Sequence, residues 1–220
     1  MHITIENLVE INKEIKEKIK RLKYNEYNPH IIAVSKTFDI SHISHLIDYG
    51  HLHFGENKVQ ETLEKWTKVK EKNNEIKLHM VGKLQTNKVK NALKIFDYIH
   101  SVDSIKLINK IAEEQIKSSK LIKIFIQVNL AEENQKSGIK KNEIGKLIDL
   151  CKDQNLKVIG LMCLPPLNED SKMYFSELRD LNQEFKLPEL SMGMSNDYLK
   201  AIEYKSSFLR IGSKIFGDRT

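Results

Sequence analysis

Cysteine is nearly missing from this 220-residue chain. Its two copies, Cys151 and Cys163, lack C-x-x-C spacing, so neither a zinc site nor a disulfide framework is expected. Long apolar runs are missing too, and no stretch approaches the roughly 18 residues of a membrane-crossing helix. The segment from Glu10 to Lys20 alternates Lys and Glu, unlike a signal peptide. These absences predict a reducing, cytoplasmic setting without membrane contact. Arginine occurs only at Arg21, Arg179, Arg210 and Arg219, while lysine is plentiful. Lysine can serve on a surface but not where a rigid fork or a fixed charge is needed. Arg210, inside an apolar run, therefore marks a special position. No Pro/Gly-rich linker or low-complexity segment divides the chain, so a single domain over residues 1–220 is expected.

What is present is a mixed, mildly basic chain. Lys and Arg number 36 against 30 Asp and Glu, a net charge of +6, and 40% of residues are hydrophobic. The two signs are interspersed, which describes a solvated surface and not the clustered face that nucleic acid requires.

Apolar, strand-like runs recur at Ile31–Ser35, Leu52–Phe54, Leu78–Val81, Tyr98–Ser101, Ile122–Asn129, Val158–Leu164, Leu190–Met192 and Phe208–Ile211. Helical patterns separate them near His42–Tyr49, Val59–Lys70, Thr86–Phe96, Ile105–Lys117, Lys141–Gln154, Lys172–Phe185 and Asp197–Tyr204. An extra helix over about Ile5–Leu22 precedes the first run. Ile144, Leu147, Ile148 and Cys151 fall at helical spacing with charged residues opposite. Asp103 and Asn196 read as helix N-caps, and so does Asn57. Strict alternation predicts a parallel sheet, and eight repeats predict a closed (β/α)8 TIM barrel with an additional N-terminal helix. An open doubly wound sheet is the alternative, but no glycine-rich phosphate turn follows the first run.

In such barrels the functional site lies at the carboxyl ends of the strands, with phosphate often held after strands seven and eight. Lys36 ends the first run, Ile31-Ile32-Ala33-Val34-Ser35-Lys36. An amine in apolar surroundings tends to become neutral, and a neutral lysine is a nucleophile toward aldehydes, forming a Schiff base. The bland reading of Lys36 alone is an exposed stem. Ser191-Met192-Gly193-Met194-Ser195-Asn196 and Arg210-Ile211-Gly212-Ser213 end the last two runs. Gly193 would let backbone approach a ligand closely, and the turns at Ser195 and at Gly212-Ser213 would present free N–H groups to an anion. A nucleophilic lysine with a phosphate cradle points to pyridoxal 5′-phosphate (PLP), an aldehyde that carries a phosphate. His51 and His53 share a strand face without an evident third ligand, so no metal is expected. His79 reads as a core histidine, and neither it nor Lys83 is given a role.

Together these blocks resemble the pyridoxal phosphate homeostasis family. The matching residues include Ala33-Val34-Ser35-Lys36-Thr37, Phe54-Gly55-Glu56-Asn57, Gly82-Lys83-Leu84-Gln85-Thr86-Asn87-Lys88, Ser191-Met192-Gly193-Met194-Ser195 and Arg210-Ile211-Gly212-Ser213-Lys214-Ile215-Phe216-Gly217. The resemblance spans essentially the whole chain, departing at Leu78-His79-Met80, where the family often has Trp-His-Phe. It implies a barrel of the alanine-racemase N-terminal type that holds PLP on Lys36 as an aldimine. Ser195, Gly212 and Ser213 would bind the phosphate, Arg210 would face the pyridine nitrogen, and Asn57 would line the pocket. It also implies a monomeric protein of vitamin B6 and amino-acid homeostasis that buffers PLP or delivers it to apo PLP-dependent enzymes, with no established reaction. The rival is a small PLP-dependent amino-acid racemase. It needs a second acid/base opposite Lys36, supplied in alanine racemases by a tyrosine of a second domain. A cofactor-free Schiff-base aldolase would leave Arg210 without a purpose.

Overall fold

Eight parallel strands close on themselves in chain order in this computed structural model. The structure describes residues 1–133 and 135–217; Asn134 and residues 218–220, Arg219 among them, lie outside the described residues. The strands are β1 (His30–Val34), β2 (His53–Glu56), β3 (Lys77–Met80), β4 (Tyr98–Val102), β5 (Lys123–Val128), β6 (Lys157–Cys163), β7 (Glu189–Met194) and β8 (Phe208–Ile211). Closure joins β1 to β8, with Ile32 opposite Arg210. The helices are α1 (Ile3–Leu22), α2 (Ile40–Asp48), α3 (Val59–Lys72), α4 (Val89–Ile95), α5 (Ile105–Ser118), α6 (Ile144–Asp153), α7 (Ser171–Glu184), α8 (Tyr198–Glu203) and α9 (Ser213–Phe216).

The strands read as apolar because both of their faces are covered. Outside the barrel, side chains such as Ile99, Ile126 and Leu161 pack against the helices. Trp66 of α3 is fully buried, its ring centroid 4.8 Å from that of Phe54 on β2. Burying one such large side chain contributes about 1.5–3 kcal/mol. Inside the barrel lies a smaller cluster of Ile32, Tyr98, Phe125, Ile159, Met162 and Phe208. The interior also holds polar groups, since His79, His100, Ser191 and Arg210 are all buried. The extra helix α1 is tied to the end of the chain, where Asn7 Nδ2 donates to the Ile215 carbonyl (3.0 Å) and Lys18 pairs with Glu203 (2.5 Å).

Several helix starts differ from expectation by one residue, within the ordinary fraying of such boundaries. Ser104 caps α5, its hydroxyl accepting the Leu107 N–H (3.3 Å), where Asp103 was the expected cap. Asp197, not Asn196, precedes α8. Lys58, not Asn57, stands at the N-cap of α3, and no side chain caps that end. The helices expected from Thr86 and from Lys141 begin with 3-10 turns, at Thr86–Lys88 and Lys141–Glu143. Helix α9, at four residues, is too short to leave a periodic signal.

Candidate functional site

A cavity of about 720 Å³ opens at the carboxyl ends of β1, β7 and β8. That lies within the roughly 300–1,000 Å³ of small-molecule sites. Lys36, Ser195, Arg210, Gly212 and Ser213 are all on its wall. The fold thus gathers five of the six residues singled out in the sequence. The sixth, Asn57, is not on that wall. It lies at the end of β2 against Gly82, where an added Cβ would come within 2.7 Å of Asn57 Cβ.

Lys36 stands two residues beyond β1 on a turn held from below. Lys65 of α3 donates to the carbonyls of Ser35 (2.9 Å) and Phe38 (3.0 Å), which bracket Lys36 and Thr37. The same ammonium lies 2.7 Å from Glu56 Oε1. That oxygen also receives the Ser35 hydroxyl (2.7 Å) and the Trp66 indole N–H (2.9 Å). Ser35 and Glu56 are buried, so this polar knot is shielded from water and stiffens the lysine-bearing turn.

Across the cavity wall, two backbone N–H groups converge on one oxygen. Gly212 N (3.2 Å) and Lys214 N (3.3 Å) both donate to Ser195 Oγ. A site that collects N–H donors around an oxygen suits a phosphate oxygen as well. Gly193 takes another part than expected. Its φ is +91°, and an added Cβ would meet Ala201 Cβ at 2.6 Å. It is therefore glycine so that the end of β7 can turn and pack under α8, and it is not on the cavity wall.

Arg210 is only 5% exposed. Its Nη1 donates to Ser191 Oγ (2.5 Å) and its Nη2 to the Cys163 carbonyl (2.8 Å). Burial pushes its pKa down, yet a guanidinium keeps its proton in a protein. No ion pair joins it to a carboxylate among the described residues. A buried cation whose hydrogen-bond partners are neutral oxygens, with the Asp197 carboxylate acting on it only from beyond ion-pair distance, suits a ligand atom that accepts without being protonated. The titratable groups elsewhere on that wall are engaged. Asp197 accepts the Met194 N–H (2.6 Å), Lys200 pairs with Asp170 (2.9 Å), and Glu169 accepts the Tyr174 hydroxyl. Neither a tyrosine nor a histidine lines the cavity among the described residues.

Lys65, Ser191 and His100 were not singled out in the sequence. Lys65 reads as one more lysine on an amphipathic helix, and the other two as ordinary members of strands. Among the described residues no three His, Cys, Asp or Glu side chains are placed to hold a metal ion, and no helix is long and apolar enough to cross a membrane.

Residues 12–220 match the family described as alanine racemase, N-terminal domain. The barrel with its strand-end lysine and arginine is therefore of the alanine-racemase type. A solved alanine racemase of Clostridium difficile 630 shares this fold, with TM-score 0.69 and 14% identity over 94% of the chain and 56% of that protein. Much closer is the pyridoxal phosphate homeostasis protein of Pasteurella multocida, 35% identical over 99% of this chain and 98% of that one. The structure of PipY from Synechococcus elongatus PCC7942 with PLP bound is 31% identical, with TM-score 0.80 over 92% of this chain and all of that one. The chain belongs to the pyridoxal phosphate homeostasis protein family.

Proposed function

We propose that this chain holds PLP through the amine of Lys36, and that it buffers the cofactor and delivers it to apo PLP-dependent enzymes without turning over amino acids. PLP has an aldehyde, a phosphate and a pyridine nitrogen, and the cavity wall has a group for each. Lys36 supplies the amine, Ser195 with Gly212 and Ser213 the phosphate donors, and Arg210 the donor to the ring nitrogen. Asn57 joins this set on the family resemblance alone. The observation that carries the reading is the buried guanidinium of Arg210, which stands on the cavity wall with only neutral oxygens, Ser191 Oγ and the Cys163 carbonyl, as its hydrogen-bond partners among the described residues.

When bound, PLP supplies an electron sink, and one weakened by a ring nitrogen that stays unprotonated. Arg210 would favour that state, because a guanidinium donates and never gives up its charge. With Asp197 and Lys200 engaged elsewhere, no second acid/base for a racemase stands on the cavity wall among the described residues. The homeostasis names of the close relatives point the same way. The chain works in this reading as a cytoplasmic monomer, with PLP and its recipient enzymes as partners and no nucleic acid or membrane.

The test is the visible spectrum of the purified protein with PLP, before and after borohydride reduction, followed by peptide mass mapping. The reduced pyridoxyl adduct is expected on Lys36. An adduct mainly on another lysine, or a Lys36→Ala protein with an unchanged spectrum, rejects the assignment.

A further inference from the structure

Three histidines outside the cavity are joined in series inside the barrel. His100 of β4 meets Ser191 Oγ of β7 through Nδ1 (2.8 Å). His79 of β3 meets His100 Nε2 through its own Nδ1 (2.9 Å), and His53 of β2 meets His79 Nε2 in the same way (3.0 Å). Ser191 Oγ in turn accepts from Arg210 Nη1 (2.5 Å). His79, His100 and Ser191 are fully buried. His53 is half-buried, and its ring centroid lies 4.5 Å from that of the exposed His30 at the start of β1. The series thus begins at the cavity wall, crosses the barrel, and ends near solvent at the amino ends of the strands.

Its direction follows from counting donors. Each ring turns Nδ1 toward Arg210 and Nε2 away from it. A neutral imidazole carries one ring proton, so the series permits two patterns, every ring Nε2–H or every ring Nδ1–H. The guanidinium only donates, which makes Ser191 Oγ an acceptor from that side. The one other partner of this hydroxyl among the described residues is His100 Nδ1. A proton on that nitrogen would aim two donors at Ser191 and strand the hydroxyl proton in a dry interior, an unsatisfied group of the costly kind. The hydroxyl therefore donates to His100, His100 donates to His79, and His79 donates to His53. Stacking holds the ring planes, since His79 lies on Tyr98 (centroids 4.3 Å apart, 11°) and His100 on Phe125 (4.3 Å, 20°). Burial pushes both rings well below the usual histidine range, and Arg210 adds to this at His100, so the series is neutral at neutral pH.

We infer that Ser191, His100, His79 and His53 form a directional relay that positions Arg210, the guanidinium selecting the Nε2–H tautomer of all three rings and the neutral relay holding the cation toward the cavity. A carboxylate in the place of Ser191 would orient Arg210 equally well but would neutralise it. A neutral oxygen leaves the charge available to a ligand acceptor, with the more distant Asp197 its carboxylate neighbour. The relay involves only this chain's residues; its effect on PLP rests on the proposed function.

The test is nitrogen-15 NMR of the full chain without PLP, with ring-labelled histidine and long-range proton–nitrogen correlation at neutral pH. His53, His79 and His100 should all appear as neutral Nε2–H tautomers. An Nδ1–H tautomer or an imidazolium at any of the three overturns the relay. Arg210→Met removes the donor that sets the direction and should bring in Nδ1–H at His100 and His79, whereas Arg210→Lys should retain Nε2–H. Unchanged tautomers in folded Arg210→Met overturn the relay. Should that variant not fold, Ser191→Ala replaces it: the His100 Nδ1 resonance should move to that of an unbonded nitrogen, and an unmoved resonance overturns the relay. Ser191→Ala should also weaken PLP binding about tenfold, as expected for losing a charge-assisted hydrogen bond, while the Lys36 adduct still forms. Unchanged PLP affinity beside a displaced His100 resonance overturns the positioning role. A native chain with the stated tautomers that takes up no PLP refutes the proposed function and supports the relay.

Discussion

The ammonium of Lys65 lies 2.7 Å from the carboxylate of Glu56, an ion pair beneath the turn that carries Lys36. Glu56 is 1% exposed and Lys65 13% at the side chain. Removing one partner of a buried pair leaves the other charge uncompensated, which costs about 3–5 kcal/mol. Lys65→Met is therefore expected to lower unfolding stability by about that much, and it should also slow formation of the Lys36 adduct, because the carbonyls of Ser35 and Phe38 lose their shared donor. Denaturant unfolding and the rise of the PLP absorbance read the two effects. A variant with native stability would mean that the pair is open to water.

The phosphate is expected to supply a large part of the affinity for PLP. Charge-assisted hydrogen bonds are worth roughly 1.5–3 kcal/mol each. Pyridoxal, which lacks the phosphate, should bind at least about tenfold more weakly than PLP. Ser195→Ala should narrow the gap between the two ligands without abolishing the Lys36 adduct. Equal affinities in the native protein, measured by absorbance titration, would contradict the cradle at Ser195, Gly212 and Ser213.

Stability should fall on mild acidification, before the carboxylates titrate. Burial pushes His53 down to about 3 and His51 to about 4, and it moves His79 and His100 in the same direction. The unfolded chain therefore takes up protons near pH 6.5 that the folded chain refuses. Stability is level above about pH 7 and declines below about 6.5, by up to roughly 1.4 kcal/mol per pH unit for each histidine. Denaturant midpoints between about pH 5 and pH 8 measure this, a window in which Asp and Glu contribute little. His51→Asn should shallow the slope by one histidine's share. A midpoint independent of pH down to about 5 would show that these rings are solvated.

Turnover of amino acids is expected to be at most a trace. General acid–base help is typically worth 10²–10⁴-fold, and no tyrosine or histidine stands on the cavity wall among the described residues to share the task with Lys36. Incubating the PLP-loaded protein with L-alanine and other L-amino acids in deuterated water, and following α-proton exchange and chirality, measures it. Sustained racemisation at roughly 1 s⁻¹ or faster, an ordinary enzyme rate, would replace the carrier reading with the racemase.

The order of elements and the location of the cavity are legible in the residues alone. Runs such as Ile31–Ser35 and Phe208–Ile211 are apolar because strands covered on both faces bury every side chain. Chemistry in this architecture collects at strand ends, so Lys36, Ser195, Arg210 and Gly212 could be read from their positions alone. What surrounds them is set by contacts between distant elements. His100 and Ser191 are 91 residues apart, and Lys65 is 30 residues from the carbonyl it grips, so no local spacing announces either contact. Gly193 suits a close ligand approach by sequence, but the packing of β7 under α8 is what requires it. Asn57 ends β2 against Gly82, a contact that the pattern of one strand does not announce. The reason is physical. Hydrophobic periodicity reports which face of an element is buried, whereas the closure and register of the barrel select which distant polar groups meet inside it.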